Sequence, residues 1–371
     1  MVKTYGIHHV SSVVGHAQKD IDFNAGVLGT RLVKKTLNFD HKENYHLYYG
    51  NHDGSSGLIT TFPQVDTTQG RVGTGQVGFV TYGVRPDSFT FWKHRFKHFH
   101  IPHYEYTRFG SRRLAFEDPT GLELELIETK SGPDNRWSFN GVAPPNNLIG
   151  IHSATLFSRF PLLTESLLVD CLGYEKIDED DEISRYKIHD DLGGLLEIKK
   201  KLGNAGTSGV GVVHHIAFKI LEEDLEDWVK ILQEKGYRPT EIKDRKYFKS
   251  IYFREKGGIL IELATMGPGV LVDESLETLG TTFKIPPQFE HSFDLASVSL
   301  MPLEVKSIDA LGNYGYRNRH EYELLQTKQT LRSKIQTLLS IQRKRTLTPD
   351  EQRQLNHYKQ TVINLSKGDQ S

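Results

Sequence analysis

Three residues in this chain have types and settings that invite metal chemistry. His215 lies in the strand-like run Gly211-Val-Val-His-His-Ile-Ala-Phe218, and Glu262 lies in Gly257-Gly-Ile-Leu-Ile-Glu-Leu-Ala-Thr265. A near-copy of the first run opens the protein as Gly6-Ile-His-His-Val-Ser-Ser-Val13 and carries His9. Two imidazoles and one carboxylate on short strands are a donor set that holds non-haem Fe(II) and leaves positions open on the ion. A carboxylate amid Ile259-Leu-Ile-Glu-Leu-Ala264 is costly to bury unless it is paired or metal-bound.

Alternate strand residues share a face, so His9 shares one with Ser11 while His8 points away, and His214 opposes His215. The third donor has two candidates. His9 completes the set if the first and last parts of the chain pair. His152, in Gly150-Ile-His-Ser-Ala-Thr155, completes it if the third part does. Glu125, in Leu122-Glu-Leu-Glu-Leu126, matches Glu262 by position, but the run that opens its unit, Gln76-Val-Gly-Phe79, has no histidine. Any second site there has too few ligands.

The elements that must position these residues repeat four times. Each unit reads as a strand, a helix and three strands. The units open near Ile7, Gln76, Leu148 and Gly211, and three of them close after Pro119-Thr-Gly121, Gly193-Gly194 and Gly257-Gly258, where glycine permits a tight hairpin turn. A βαβββ unit leaves a curved sheet half-open, so units must pair. The predicted fold is α+β: four βαβββ modules paired into two curved-sheet domains, plus a C-terminal helical hairpin. Two modules fall in residues 1–135 and two in 148–290, joined by a Pro- and Gly-broken linker at 131–147. Residues 318–371 form the hairpin, with Leu324, Leu331, Ile335 and Leu338 at helical spacing and Thr348-Pro-Asp-Glu351 as a capping box. Its apolar seam suits packing on its own domain or a contact in a homo-oligomer.

Composition narrows the function. Hydrophobic residues at 37% and charged residues at 25% describe a globular protein, and a net charge of −1 gives no purchase on nucleic acid or an anionic membrane. No apolar run approaches membrane-spanning length. The single cysteine, Cys171, and a start without a signal peptide's apolar core point to the cytoplasm.

Over residues 5–290 the sequence resembles the vicinal oxygen chelate superfamily, and within it the ring-cleaving dioxygenases that open hydroquinones. The resemblance is carried by Gly6-Ile-His-His-Val10, Tyr45-His-Leu-Tyr48, Thr60-Thr-Phe-Pro63, Arg108-Phe-Gly110, Val213-His-His-Ile-Ala-Phe218, Asp244-Arg245 with Tyr247-Phe-Lys-Ser-Ile-Tyr252, and Gly257-Gly-Ile-Leu-Ile-Glu262. It implies that His9, His215 and Glu262 hold Fe(II), with His152 as the alternative to His9 that catechol-cleaving relatives suggest. It also places Ser11, Arg245 and Tyr252 beside the metal, Ser11 where some relatives carry threonine, and His8 and His214 behind the ligands. The implied substrates are a small aromatic diol and O₂. Arg245 and Tyr252 would supply positive charge and a hydrogen bond to the ionised diol, and His214 or His8 an acid/base. Two rivals share the fold. A glyoxalase-type lyase or isomerase uses more carboxylates around Zn²⁺ or Ni²⁺, and Leu58-Ile-Thr-Thr-Phe62 has no acid at the matching place. A metal-free binding protein has no use for two histidines and a glutamate at matched strand positions.

Overall fold

The structure is a computed structural model that describes residues 2–56, 58–201, 203–292, 300, 302–311 and 319–367. Unit one comprises β1 (Ile7–Val14), α1 (Ala17–Ile21), β2 (Arg31–Leu37), β3 (Tyr45–Gly50) and β4 (Leu58–Pro63). Gly57, expected to open its last strand, lies outside the described residues. Unit two comprises β5 (Gln76–Val84), α2 (Phe89–His98), β6 (His103–Arg108), β7 (Ser111–Glu117) and β8 (Glu123–Glu128). Unit three runs through β9 (Gly150–Phe157), α3 (Pro161–Asp170), β10 (Glu175–Glu179), β11 (Ile183–Lys187) and β12 (Leu195–Lys199). Unit four runs through β13 (Val212–Ile220), α4 (Leu225–Glu234), β14 (Lys243–Asp244), β15 (Phe248–Arg254) and β16 (Leu260–Pro268), and a short β17 (Phe283–Lys284) follows it.

The units pair one with four and two with three. One sheet has the order β14-β15-β16-β13-β1-β4-β3-β2-β17 and the other β10-β11-β12-β9-β5-β8-β7-β6. Each sheet therefore draws one unit from residues 1–135 and one from 148–290. The seam of the first is the antiparallel pair β1–β13, with His9 opposite Ala217 and Ser11 opposite His215. Strands β1 and β13 lie mid-sheet and are buried along most of their length, polar residues included.

The helices bury one face each. In α4 that face is Leu225, Trp228 and Leu232, at steps of three and four. The first helix is shorter than its periodicity predicts and widens into π-type turns over Asp22–Val27. There the Asn24 side-chain amide donates to the Asp20 carbonyl and takes the place of the helix's own backbone donor.

The tail folds as α5 (Arg319–Gln342) and α6 (Pro349–Lys367). Residue 318 and residues 368–371 of the expected extension lie outside the described residues, as does the side chain of Leu324. Leu338, Leu339, Leu347 and Leu355 form the hairpin's own small core. The capping box forms: Glu351 N–H donates to the Thr348 hydroxyl, and Thr348 N–H to the Glu351 carboxylate. Rather than covering unit four, which precedes it in the chain, α5 lies across the second sheet. Arg332 pairs with Glu117 and Glu123 of unit two, and Arg343 with Asp180 of unit three. Among the described residues no helix is long and apolar enough to cross a membrane.

Candidate metal centre

The seam strands and β16 bring His9, His215 and Glu262 together, all three buried. The Nε2 atoms of His9 and His215 are 3.2 Å apart and lie 3.1 and 2.9 Å from Glu262 Oε2. Neither carboxylate oxygen of Glu262 accepts a hydrogen bond. The reason lies on the far side of each ring. His9 Nδ1 is 2.8 Å from His8 Nδ1, and His215 Nδ1 is 2.9 Å from His214 Nδ1. Burial pushes the His8 imidazole down to about 3 and that of His214 to about 4, so both are neutral. A neutral ring can accept at Nδ1, and the tautomer of His9 and His215 that donates there leaves both Nε2 lone pairs toward the carboxylate, the form that metal ligation requires.

Three lone-pair donors converging on one point repel unless a cation sits among them. Donors about 2.1 Å from one ion lie about 3.0 Å apart at octahedral right angles and about 3.4 Å apart at tetrahedral angles. The observed 2.9–3.2 Å is the octahedral spacing. Three donors on one octahedral face leave three positions free. Among the described residues this is the one group of histidine, cysteine and acidic side chains arranged to hold an ion.

A cavity of about 260 Å³ opens over His9 and His215. Unit four contributes Phe248, Tyr252, Arg245 and His214 to its wall, and unit one contributes His46, Tyr48 and Phe62. Arg245 Nε lies 3.3 Å from the Tyr252 hydroxyl, and its two terminal nitrogens reach Asp40 at 3.3 and 2.8 Å. Burial pushes the Tyr252 phenol up, so it keeps its proton. Of the residues predicted from sequence, His8 and Ser11 do not open onto this cavity. His8 borders a second cavity beyond Phe248, and Ser11 lies beneath the floor with its hydroxyl 2.6 Å from that of Thr60. His152 belongs to the other sheet, where it touches Ser153.

Strand register explains which residues the motifs hid. Tyr252 sits opposite Glu262 in unit four, and Tyr48 sits opposite Thr60 in unit one. Tyr48 is thus the counterpart of Tyr252 across the cavity, and Thr60 holds the place of a second glutamate. His46 bridges them, with Nε2 2.9 Å from the Thr60 hydroxyl and Nδ1 3.0 Å from that of Tyr48. The run Tyr45-His-Leu-Tyr48 signals these residues, but only the pairing of units one and four brings them to the centre.

The same register in the second sheet sets Glu125 beside Thr81 and Glu197 beside Thr155. Ser153 and Phe79 stand where the ligand histidines stand, and His152 falls out of phase, like His8 and His214. A guanidinium sits between the acids: Arg113 reaches Glu125 and Glu197 at 2.7 Å each, and Arg108 reaches them at 3.1 and 2.8 Å. Glu197 comes three residues after Gly194 whereas Glu262 comes four after Gly258, so their kinship shows only in the strand register.

The profile of the Glyoxalase/Bleomycin resistance protein/Dioxygenase superfamily matches residues 99–263. MhqO of Bacillus subtilis, named as a candidate ring-cleaving dioxygenase, is 42% identical over 309 residues, which are 83% of this chain and 99% of MhqO. The chain belongs to this superfamily. Another superfamily relative, the chlorohydroquinone/hydroquinone 1,2-dioxygenase of Sphingobium indicum, is 34% identical over 77% of this chain and 92% of its own length. A crystal structure of a candidate dioxygenase from Bacillus subtilis superposes with a TM-score of 0.81 at 41% identity, over 83% of this chain and all of that one. Within the superfamily framework the chain pairs its modules one with four and two with three, and the donors sit in the one–four sheet.

Proposed function

We propose that the chain is a non-haem Fe(II) ring-cleaving dioxygenase that opens hydroquinone-type or catechol-type diols with O₂. The observation that carries the reading is the octahedral spacing of two imidazole nitrogens and one carboxylate oxygen at the floor of an aromatic-walled cavity. The names of the ring-cleaving relatives supply the reaction class. His9, His215 and Glu262 would hold the ion, and bound Fe(II) supplies the electron transfer to O₂ that redox-inert Zn²⁺ cannot.

The remaining chemistry belongs to side chains. Phe62 and Phe248 flank a single aromatic ring and exclude water from it. Arg245 brings a permanent positive charge and Tyr252 a hydroxyl proton to the negative charge that grows on the diol oxygens. His214, neutral and in the cavity wall, would accept at Nδ1 from His215 and offer its Nε2–H as a hydrogen-bond donor toward the cavity. His8 would hold the His9 tautomer in the same way. Thr60, at the position equivalent to Glu262, leaves the centre one carboxylate short of a glyoxalase-type lyase site.

Protein purified without oxygen and loaded with Fe(II) should consume one O₂ per methylhydroquinone and yield the ultraviolet absorbance of a ring-opened acid. Stoichiometric zinc or nickel with no O₂ uptake would reject the reading in favour of a lyase or isomerase.

A further inference from the structure

Asp40 stands at the mouth of the cavity, in the loop between β2 and β3, and is about half exposed. The loop is held by Asn38, whose side-chain oxygen accepts from the backbone N–H groups of Asp40 and His41 at 2.9 and 3.2 Å. From there the Asp40 carboxylate crosses to unit four and takes both terminal nitrogens of Arg245. Arg245 Nε meets Tyr252, and its guanidinium rests over the rings of Phe39 and Tyr252, 5.7 and 5.3 Å from their centroids. The neighbouring cation, Lys243, is 3.9 Å from the same carboxylate.

A guanidinium fork matches a carboxylate at two points, which makes it the natural anchor for a ring substituent bearing that charge. Here the protein's own carboxylate occupies the fork. We propose that Asp40 is a specificity-determining residue: by filling the fork of Arg245 it makes the cavity select uncharged ring diols over ring diols that carry a carboxylate. The inference rests on the dioxygenase reading above and assigns its substrate class. Burial works to raise the Asp40 carboxyl, but Arg245 and Lys243 prevail and hold it below its ordinary value, so the fork stays filled at neutral pH.

The test is anaerobic calorimetry on the full-length Fe(II)-loaded protein with two probes, methylhydroquinone and 2,5-dihydroxybenzoate. The wild type should prefer the uncharged ring. Asp40→Ala should shift the ratio of affinities toward the carboxylated ring by about tenfold or more, the scale of one charge-assisted contact. Asp40→Glu should restore the wild-type ratio. A role confined to loop order would weaken both probes alike and leave the ratio fixed, which overturns the proposal. So does a wild type that binds the carboxylated ring more tightly. If methylhydroquinone fails to bind the wild type at all, the dioxygenase reading falls and takes this inference with it.

Discussion

At the scale of single residues, each ligand histidine is one of a pair with divided labour. His9 and His215 present Nε2 to the centre while their Nδ1 atoms meet those of His8 and His214. Adjacent strand residues ordinarily face opposite sides, and these pairs still communicate because their Nδ1 atoms meet edge to edge, with ring centroids 5.0 and 5.2 Å apart. The pairing separates the two candidates for the third ligand. His9→Ala should lower bound iron by about tenfold or more, as loss of one of three ligands demands, whereas His152→Ala should leave iron content within experimental error. Metal analysis after gel filtration checks both. Iron lost from the His152 variant and kept in the His9 variant would contradict the site.

At the scale of elements, the two sheets solve one electrostatic problem in two ways. In the first sheet, on the proposed function, the carboxylate among strands β1, β13 and β16 would be balanced by an external cation. In the second, β8 and β12 bring Glu125 and Glu197 together around Arg113 and Arg108. Burial would raise the Glu125 carboxyl, but the two guanidinium groups bring it down to about 2. A depressed folded-state value means that this group's stabilisation is fully present above the unfolded value near 4.5 and is lost as pH falls toward 2. Arg113→Ala should cost about 3–5 kcal/mol at neutral pH, because it leaves two buried acids to share the charge of Arg108, and should move the onset of acid unfolding to higher pH. Urea titrations at pH 7 and pH 4 measure both effects. A variant as stable as the parent at both values would show that the cluster is not held by its charges.

Legibility in the sequence followed this division between elements. Glu262 stood out because it sits in an apolar run where a carboxylate is anomalous, and His9 and His215 because their His-His strand openings are near-copies. The four units showed through their glycine turns and repeated openings. Asp40, Tyr48 and Glu197 did not stand out, because a loop aspartate, a strand tyrosine and a strand glutamate are ordinary until a distant strand is set beside them. The partner of the tail was equally hidden. The seam of α5 and α6 marked a hairpin, but the ion pairs of Arg332 and Arg343 with units two and three depend on where the second sheet stands.

At the scale of the whole molecule, each sheet is stitched from one unit of the chain's first half and one of its second. Residues 1–147 and 148–371, produced separately, would each hold a βαβββ pair with its seam strands β1 and β5, or β9 and β13, unpartnered and prone to adventitious pairing. Each half should retain less than about a tenth of the intact protein's bound iron, and refolding the two together should restore it. Iron bound stoichiometrically by either half alone would refute a centre shared between first and last units. The shared seam also has a consequence in time. His215 follows His9 by 206 residues. At a ribosome's pace of about 5–20 residues per second, His9 leaves the exit tunnel roughly 10–40 s before its partner exists. On the dioxygenase reading, a nascent fragment that ends before Glu262 then lacks the full donor set for iron. Loading would be confined to chains synthesised past Glu262, so a product terminated earlier would not become a half-built centre that activates O₂ without a substrate pocket to contain it.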